Sequence, residues 1–164
     1  MALKDIVLQG VTVSQSGIFD LKSLYKVLKH WFSENDYDFM ETDFNETQKN
    51  GRKLTIIKWG TEKKLDDYIK KVIEIKLTTD TTKVEVKKGE KKQVLDQGQA
   101  KIVFTAYLLK DWEDNYEKRP IAAFFRELND KFIDFPRIDA AKKEVMENVY
   151  SITDEFKNFF KIYG

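Results

Sequence analysis

The sequence predicts an α+β protein in which a strand and a helix precede a long antiparallel meander, and helices close the chain. Three observations predict this class. Apolar residues recur with helical spacing over residues 20–33 and again after residue 119. Between these segments apolar and polar residues alternate, as in half-buried strands. Turn-forming residues interrupt the alternation often enough to predict six strands in the meander.

Composition supports a single domain over residues 1–164. The chain is 41% apolar and 35% charged, with a net charge of +1, as expected of a globular protein. It holds two Pro and seven Gly and contains no low-complexity linker. We therefore assign the sheet and the first helix to residues 1–118 and a C-terminal helical segment to residues 119–164.

The first two elements are a strand and an amphipathic helix. Apolar residues at 6, 7, 8, 11 and 13 predict a strand over residues 5–13, bent or bulged at Gly10 and ended by Gly17. Asp20 is placed to cap the helix that follows. The buried face of that helix is predicted to consist of Leu21, Leu24, Tyr25, Leu28, Trp31 and Phe32.

Five turn signals divide the meander. Asn50-Gly51 is typical of a two-residue hairpin turn. The other turns are predicted at residues 60–64, 79–82, 87–90 and 96–98. The last strand, residues 100–109, is the most apolar and is predicted to lie in the interior of the sheet.

Two helical segments are predicted to close the chain. The first begins near Arg119, with Pro120 in a favourable first position, and Phe135-Pro136 interrupts the pattern. The second is long and amphipathic. Its apolar stripe is predicted to contain Ile138, Ala141, Val145, Val149, Ile152, Phe156, Phe159 or Phe160, and Tyr163.

This order of elements resembles the helix-grip fold of the START-like superfamily, which includes pollen-allergen-like proteins, polyketide cyclases and lipid-transfer domains. The resemblance is one of element order and size, and it covers almost the whole chain. It implies a curved sheet wrapped on the long terminal helix, with an apolar cavity between them. Ligands usually bind in such concave sites.

Aromatic residues supply the candidate lining of that cavity. They are Tyr37, Phe39, Trp59, Phe104, Tyr107, Phe156, Phe159 and Phe160. Two interpretations stand, since the same rings can line a ligand pocket or pack against one another as core. No catalytic residue is assigned among them.

The sequence offers little evidence for catalysis or metal binding. The chain has no Cys and a single histidine, His30, which lies on the polar side of the first helix. Glu41 and Asp43 alternate along a strand and are predicted to share one face, as a solvated acidic stripe or a carboxylate pair. No glycine-rich phosphate loop is present, which excludes nucleotide binding by such loops. No cofactor or metal site is predicted.

Location and partners follow from the same composition. A Cys-free chain favours a reducing compartment, and no signal peptide or apolar run of membrane-spanning length is present, so we expect a cytoplasmic protein without a transmembrane segment. Lys outnumbers Arg by 25 to 4, which argues against nucleic-acid recognition.

Two surface segments are open to more than one interpretation. The basic turn between Lys87 and Lys92 either protects a sheet edge or contacts a partner. In the acidic segment after the last strand, Trp112 and Tyr116 either pack locally or mark a docking site.

The favoured hypothesis is a non-enzymatic protein that binds or carries a small apolar ligand between the sheet and the C-terminal helix. A second is a protein-interaction or assembly module that uses the amphipathic C-terminal helix to contact a partner or a second copy. A third is a cyclase- or hydrolase-like enzyme acting on an aromatic substrate. It would require His30 or Glu41 to point into the cavity with a perturbed pKa.

Overall fold

The computed structural model describes residues 3–110 and 135–163. In chain order the elements of these residues are β1 (Leu3–Phe19), α1 (Leu21–Glu34), β2 (Asp38–Lys49), β3 (Arg52–Lys64), β4 (Ile69–Lys88), β5 (Lys91–Lys110) and α2 (Phe135–Tyr163). The predicted α+β class is confirmed. The helical segment predicted from Arg119 and the Trp112–Tyr116 segment lie outside the described residues.

The strands form one antiparallel sheet in the order β1-β5-β4-β3-β2. Strands β2 to β5 follow one another as hairpins, and β1 pairs with the last of them. Because β1 and β2 each pair with one neighbour among the described strands, the sheet is not closed. The predicted interior strand forms part of β5, which lies between β1 and β4.

The expected six-stranded meander is a meander of four longer strands within the described residues, because predicted turns lie inside strands. Residues 79–82 continue β4 without interruption. Thr79 and Thr81 are buried on the side that faces the helices and pair with Thr55 and Lys53 of β3. Threonine is β-branched and fits a pleated, half-buried surface, which explains why the threonine-rich residues 79–82 continue the strand.

The turn predicted at residues 96–98 is also part of a strand. Gly98 lies within β5 and pairs with Gly17 of β1 and Thr81 of β4. A Cβ on Gly98 would lie 2.0 Å from the carbonyl oxygen of Asp80, so the glycine permits a close backbone approach inside the sheet. Gly17, opposite it, does not end β1, which continues to Phe19.

The turn predicted at residues 60–64 is found instead at residues 65–68. β3 continues to Lys64, and residues 65–68 make the connection to β4. The Asp66 carboxylate accepts hydrogen bonds from the backbone N–H groups of Tyr68 and Ile69, at 2.7 and 2.8 Å. An aspartate that bonds the backbone two residues on is a common way to close a turn.

Other local predictions are confirmed. Asn50 and Gly51 have φ of 55° and 76°, the left-handed conformation that a tight hairpin turn needs at both central positions. The register of β1 against β5 shifts between Leu8 and Val11, and Gly10 there has a φ of 69°.

Both helices lie on one face of the sheet. α2 packs across β1, β5 and β4, while α1 packs against α2 and β2. The buried members of the α2 stripe are Ile138, Ala141, Val145, Val149, Ile152, Phe156, Phe159 and Phe160. The stripe predicted from sequence is thus covered by the chain's own sheet. No helix of the described segments combines the length and apolar character needed to cross a bilayer.

Candidate binding groove

Three of the eight aromatic residues predicted to line a cavity lie beside α1. The ring centroids of Phe39 and Trp59 are 5.4 Å apart, and that of Tyr37 lies 5.7 Å from Phe32 of α1. Tyr25 of α1 contacts the Trp59 ring edge-on at 5.1 Å. These rings form a packed cluster that attaches α1 to β2 and β3.

Four more lie in the layer under α2. The rings of Phe156 and Phe159 lie 5.1 and 5.6 Å from that of Phe160. Phe160 in turn lies 5.0 Å from Phe19 at the end of β1. Phe104 of β5 is fully buried on the same face of the sheet. The three helix rings and Phe19 therefore fill the space that they share.

Tyr107 lies on the opposite face of the sheet. It alternates along β5 with Phe104 and Ala106, which face the helices. Its hydroxyl donates a hydrogen bond to Glu74 at 2.9 Å, and the Lys4 ammonium lies 4.7 Å from its ring centroid. Burial and the Glu74 carboxylate raise the pKa of Tyr107, which keeps the hydroxyl protonated.

A groove of about 380 Å³ lies between the first turns of α1 and the adjacent strands. Its wall contains the apolar groups of Leu21, Tyr25, Phe44 and Ile57. The charged residues at its rim are Asp20, Lys22, Lys26, Glu46, Lys53, Lys83 and Asp96. We call this feature the α1 groove. Tyr25 connects it to the aromatic cluster beside α1, because the same ring contacts Phe39 and Trp59.

A bulge in β2 places Phe44 in the groove. Glu41 pairs with Trp59 and Asp43 with the next residue of β3, Lys58, so the register shifts at Thr42. Because successive strand residues point to opposite faces, Glu41 and Asp43 do not share the face that simple alternation predicted. The same shift turns Phe44 towards the helix side, opposite Ile57. Sequence reasoning missed Phe44 for this reason.

Asp96 attaches the start of α1 to the sheet. Its carboxylate accepts a hydrogen bond from the Leu21 backbone N–H at 3.2 Å and lies 2.8 Å from the Lys83 ammonium. Asp20 occupies the cap position, as predicted, but its carboxylate does not bond a backbone N–H of the helix. It accepts a hydrogen bond from the Ser23 hydroxyl. The free backbone N–H groups of a helix start attract a carboxylate, here supplied by a distant strand. This contact fixes one side of the groove.

Two buried hydroxyls lie beside the groove wall. Thr55 is 1% exposed and occupies the same face of β3 as Ile57 and Lys53, which both line the groove. Thr79 is its direct partner on β4 and is equally buried. Neither hydroxyl has a hydrogen-bond partner among the described residues. Buried polar groups are usually satisfied, so this pair needs an explanation.

Salt bridges attach the N-terminal half of α2 to the sheet. The ammonium of Lys71, which is 2% exposed, lies 2.5 Å from the Glu144 carboxylate. Asp5 lies 2.8 Å from Lys142 and 3.3 Å from Lys110. We therefore assign Lys71 a structural role in attaching α2 to the sheet.

Tyr37, immediately before β2, is hydrogen-bonded to α2. Its hydroxyl donates a hydrogen bond to Asn148 at 2.7 Å. Burial and the Glu144 carboxylate raise the pKa of Tyr37, so it serves as a hydrogen-bond donor.

The residues considered for catalysis lie on the surface. His30 is exposed, with Nε2 2.9 Å from Glu34 one turn along α1, and Glu41 is exposed on β2. Across residues 3–110 and 135–163 no three metal-ligating side chains gather into a group. Lys87, Lys88, Lys91 and Lys92 are exposed at the tip of the β4–β5 hairpin, where neither strand pairs with another of the described strands.

No family model matches this chain, and a search of the curated proteins finds no match.

Proposed function

We propose that this protein binds a small apolar molecule and that the α1 groove holds it. One observation carries the proposal: a groove of about 380 Å³ has an apolar wall of Leu21, Tyr25, Phe44 and Ile57. Pockets for small molecules have volumes upwards of about 300 Å³ and are mostly apolar with a few polar groups. The groove matches both requirements.

The exposure of Phe44 supports the same proposal. Its side chain is 51% exposed although its cross-strand neighbour Ile57 is buried. A ligand that covers the rest of the ring removes apolar surface from water. By the usual area relation this contributes about 1 kcal/mol to binding. The ring is therefore a favourable contact for an apolar ligand.

We further propose that the chain is a variant of the helix-grip arrangement. The element order, the pairing of β1 with the last strand and the position of α2 on the sheet support this relation. The site differs from the one that the resemblance implies, because it lies beside α1. Ligand binding by the aromatic residues under α2 stays a prediction.

Titration with 1-decanol, followed by amide chemical shifts, tests the proposed function. We expect shifts at Leu21, Tyr25, Phe44 and Ile57. Phe44→Ala should weaken binding about fivefold, because about 1 kcal/mol of apolar contact is lost. The matched control is Tyr150→Ala, since Tyr150 is also 51% exposed but lies on α2. The proposal fails if decanol does not bind, shifts residues elsewhere, or binds Phe44→Ala as tightly as the original chain.

A further inference from the structure

The tip of the β4–β5 hairpin projects beyond the rest of the sheet. β1 pairs with β5 as far as Asp96, and β3 pairs with β4 as far as Thr81. Residues 84–95 therefore form a two-stranded ribbon of five cross-strand pairs, in which neither strand pairs with a third among the described strands. At about 3.4 Å per residue the ribbon is about 17 Å long. We call it the β4–β5 arm.

The arm has a defined geometry at both ends. At its base the Lys83 ammonium lies 2.8 Å from the Asp96 carboxylate, which also accepts a hydrogen bond from the Leu21 backbone N–H of α1. At its tip Gly89, with a φ of 64°, and Glu90 make a two-residue turn. The arm is therefore attached to the body of the protein and closed by a tight turn.

Lysines face one another in the last two pairs of the arm. Lys87 pairs with Lys92 and Lys88 with Lys91, and all four are exposed. None of these four facing lysines forms an ion pair with another described residue. Like charges directly opposite each other in a sheet destabilise the pairing. A single lysine discourages pairing at a sheet edge, so edge protection does not explain two facing pairs.

The charges of the arm have a definite arrangement. Because successive strand residues point to opposite faces, one facing pair lies on each face of the ribbon. The four facing lysines outnumber the two carboxylates of the arm, Glu85 and Glu90. Glu90 lies in the turn, and the lysines lie behind it. The arm thus presents positive charge on both faces and a carboxylate at its end.

This arrangement fits a groove with anionic walls better than a flat anionic surface. A flat surface, such as that of an anionic bilayer, would meet the Glu90 carboxylate first. The major groove of duplex DNA is about 12 Å wide and about 8.5 Å deep, admits a two-stranded ribbon and is bordered by phosphates on both sides. Its floor presents base amino groups that donate hydrogen bonds, so a carboxylate at the tip is acceptable there.

We propose that the β4–β5 arm enters the major groove of duplex DNA and that its four facing lysines bind phosphates on both sides of the groove. Lysine binds phosphate as a point charge, whereas base recognition favours the Arg fork. The arm contains no Arg, so its binding is independent of base sequence. The small share of Arg in the chain thus argues against base recognition but not against contact with the phosphate backbone. This inference does not depend on the α1 groove.

The fluorescence anisotropy of a labelled DNA duplex of about 20 base pairs measures the binding. Four neutralised phosphates predict that the logarithm of the binding constant falls against that of the salt concentration with a slope of about −3.6. The arm variant combines Lys87→Gln, Lys88→Gln, Lys91→Gln and Lys92→Gln. It should bring this slope close to zero and weaken binding at least about a hundredfold in dilute salt.

The matched control removes the same number of charges from exposed positions outside the arm. It combines Lys76→Gln, Lys143→Gln, Lys157→Gln and Lys161→Gln. Because these side chains are not on the ribbon, the control should keep the slope of the original chain. Urea denaturation of the arm variant should show a stability at least equal to that of the original chain, because the repulsion between facing lysines is gone.

Duplex RNA tests the groove itself. The major groove of an A-form duplex is deep and narrow, so duplex RNA of the same length should bind about tenfold more weakly than duplex DNA. Amide chemical shifts caused by duplex DNA in the original chain should be concentrated in residues 84–95.

The inference is wrong if the control weakens DNA binding as much as the arm variant does, or if the amide shifts lie outside the arm. Equal binding of duplex RNA and duplex DNA would overturn the assignment to the major groove. Binding to vesicles of anionic lipid without binding to duplex DNA would overturn it in favour of a membrane surface. If the arm variant is less stable than the original chain, the amide shifts of the original chain decide the question.

Discussion

The two helices lie on the same face of the sheet but leave different spaces beside them. Under α2, the rings of Phe156 and Phe160 are buried against Phe19. Beside α1, Phe44 is half exposed at the wall of an open groove. A helix of 14 residues spans about 21 Å, whereas a strand of 13 residues spans about 43 Å. α1 is thus about half as long as β3, and an open groove lies beside its first turns.

The helices also differ in how they are attached. The N-terminal half of α2 is held by the pairs Lys71–Glu144 and Asp5–Lys142, while its C-terminal half is held by aromatic rings. α1 is held mainly by aromatic contacts and by one carboxylate at its start. Apolar burial is strong but non-directional, whereas ion pairs favour one orientation at little net gain in stability. The aromatic half of α2 is therefore expected to contribute most to stability.

The largest expected effect compares the aromatic rings of the two regions. Phe156→Ala should lower the free energy of unfolding by about 4 kcal/mol, because a fully buried phenylalanine leaves a cavity. Phe44→Ala should lower it by less than about 1 kcal/mol, because the ring is already half in water. Urea denaturation measures both values. Equal losses would show that the groove is as tightly packed as the layer under α2.

The next effect tests the ion pairs of α2. Glu144→Ala should cost about 3 kcal/mol, because it leaves the Lys71 ammonium buried without its partner. Lys71→Met should change stability by less than about 1 kcal/mol, since methionine fills similar space and Glu144, 45% exposed, can be hydrated. Glu147→Ala, at an exposed position on the same helix, is the control. A loss no greater than that of the control would show that the pair adds nothing to the attachment of α2.

The smallest effect is a loss of stability in acid. Burial alone would raise the pKa of Asp5, but hydrogen bonds and charges from Lys142 and Lys110 outweigh it and hold the pKa below the usual value of an aspartate. The folded state therefore binds the proton less tightly than the unfolded state does. The stabilisation is complete above the unfolded pKa and is lost as the pH falls through the folded pKa.

The measurement is the free energy of unfolding as the pH is lowered below about 4. Asp5→Asn and Lys142→Gln should each reduce the acid-dependent loss by less than about 1 kcal/mol, because the pair is partly exposed to water. If the free energy of unfolding of either variant falls with pH as steeply as that of the original chain, the lowered pKa of Asp5 is contradicted.

Prediction from sequence succeeded where a single local pattern decides the structure. The apolar spacing of α1 and of α2 from Ile138 onward, the Asn50-Gly51 turn and the irregularity at Gly10 are all found. It failed where a turn-like composition lies in a strand. Thr79 is held in β4 by pairing with Thr55, and Gly98 is held in β5 by pairing with Thr81, where its missing side chain lets the Asp80 carbonyl approach closely. Both depend on neighbouring strands that composition does not reveal.

The sequence by itself determined the class of the fold, the order of its elements and which helix faces are buried, because periodicity is a property of neighbouring residues. The tertiary structure alone decided the number of strands and the position of the groove. The bulge at Thr42 turns Phe44 to the helix side, and Asp96 reaches α1 from 75 residues away. Contacts between distant parts of the chain fix both features, so no local pattern encodes them.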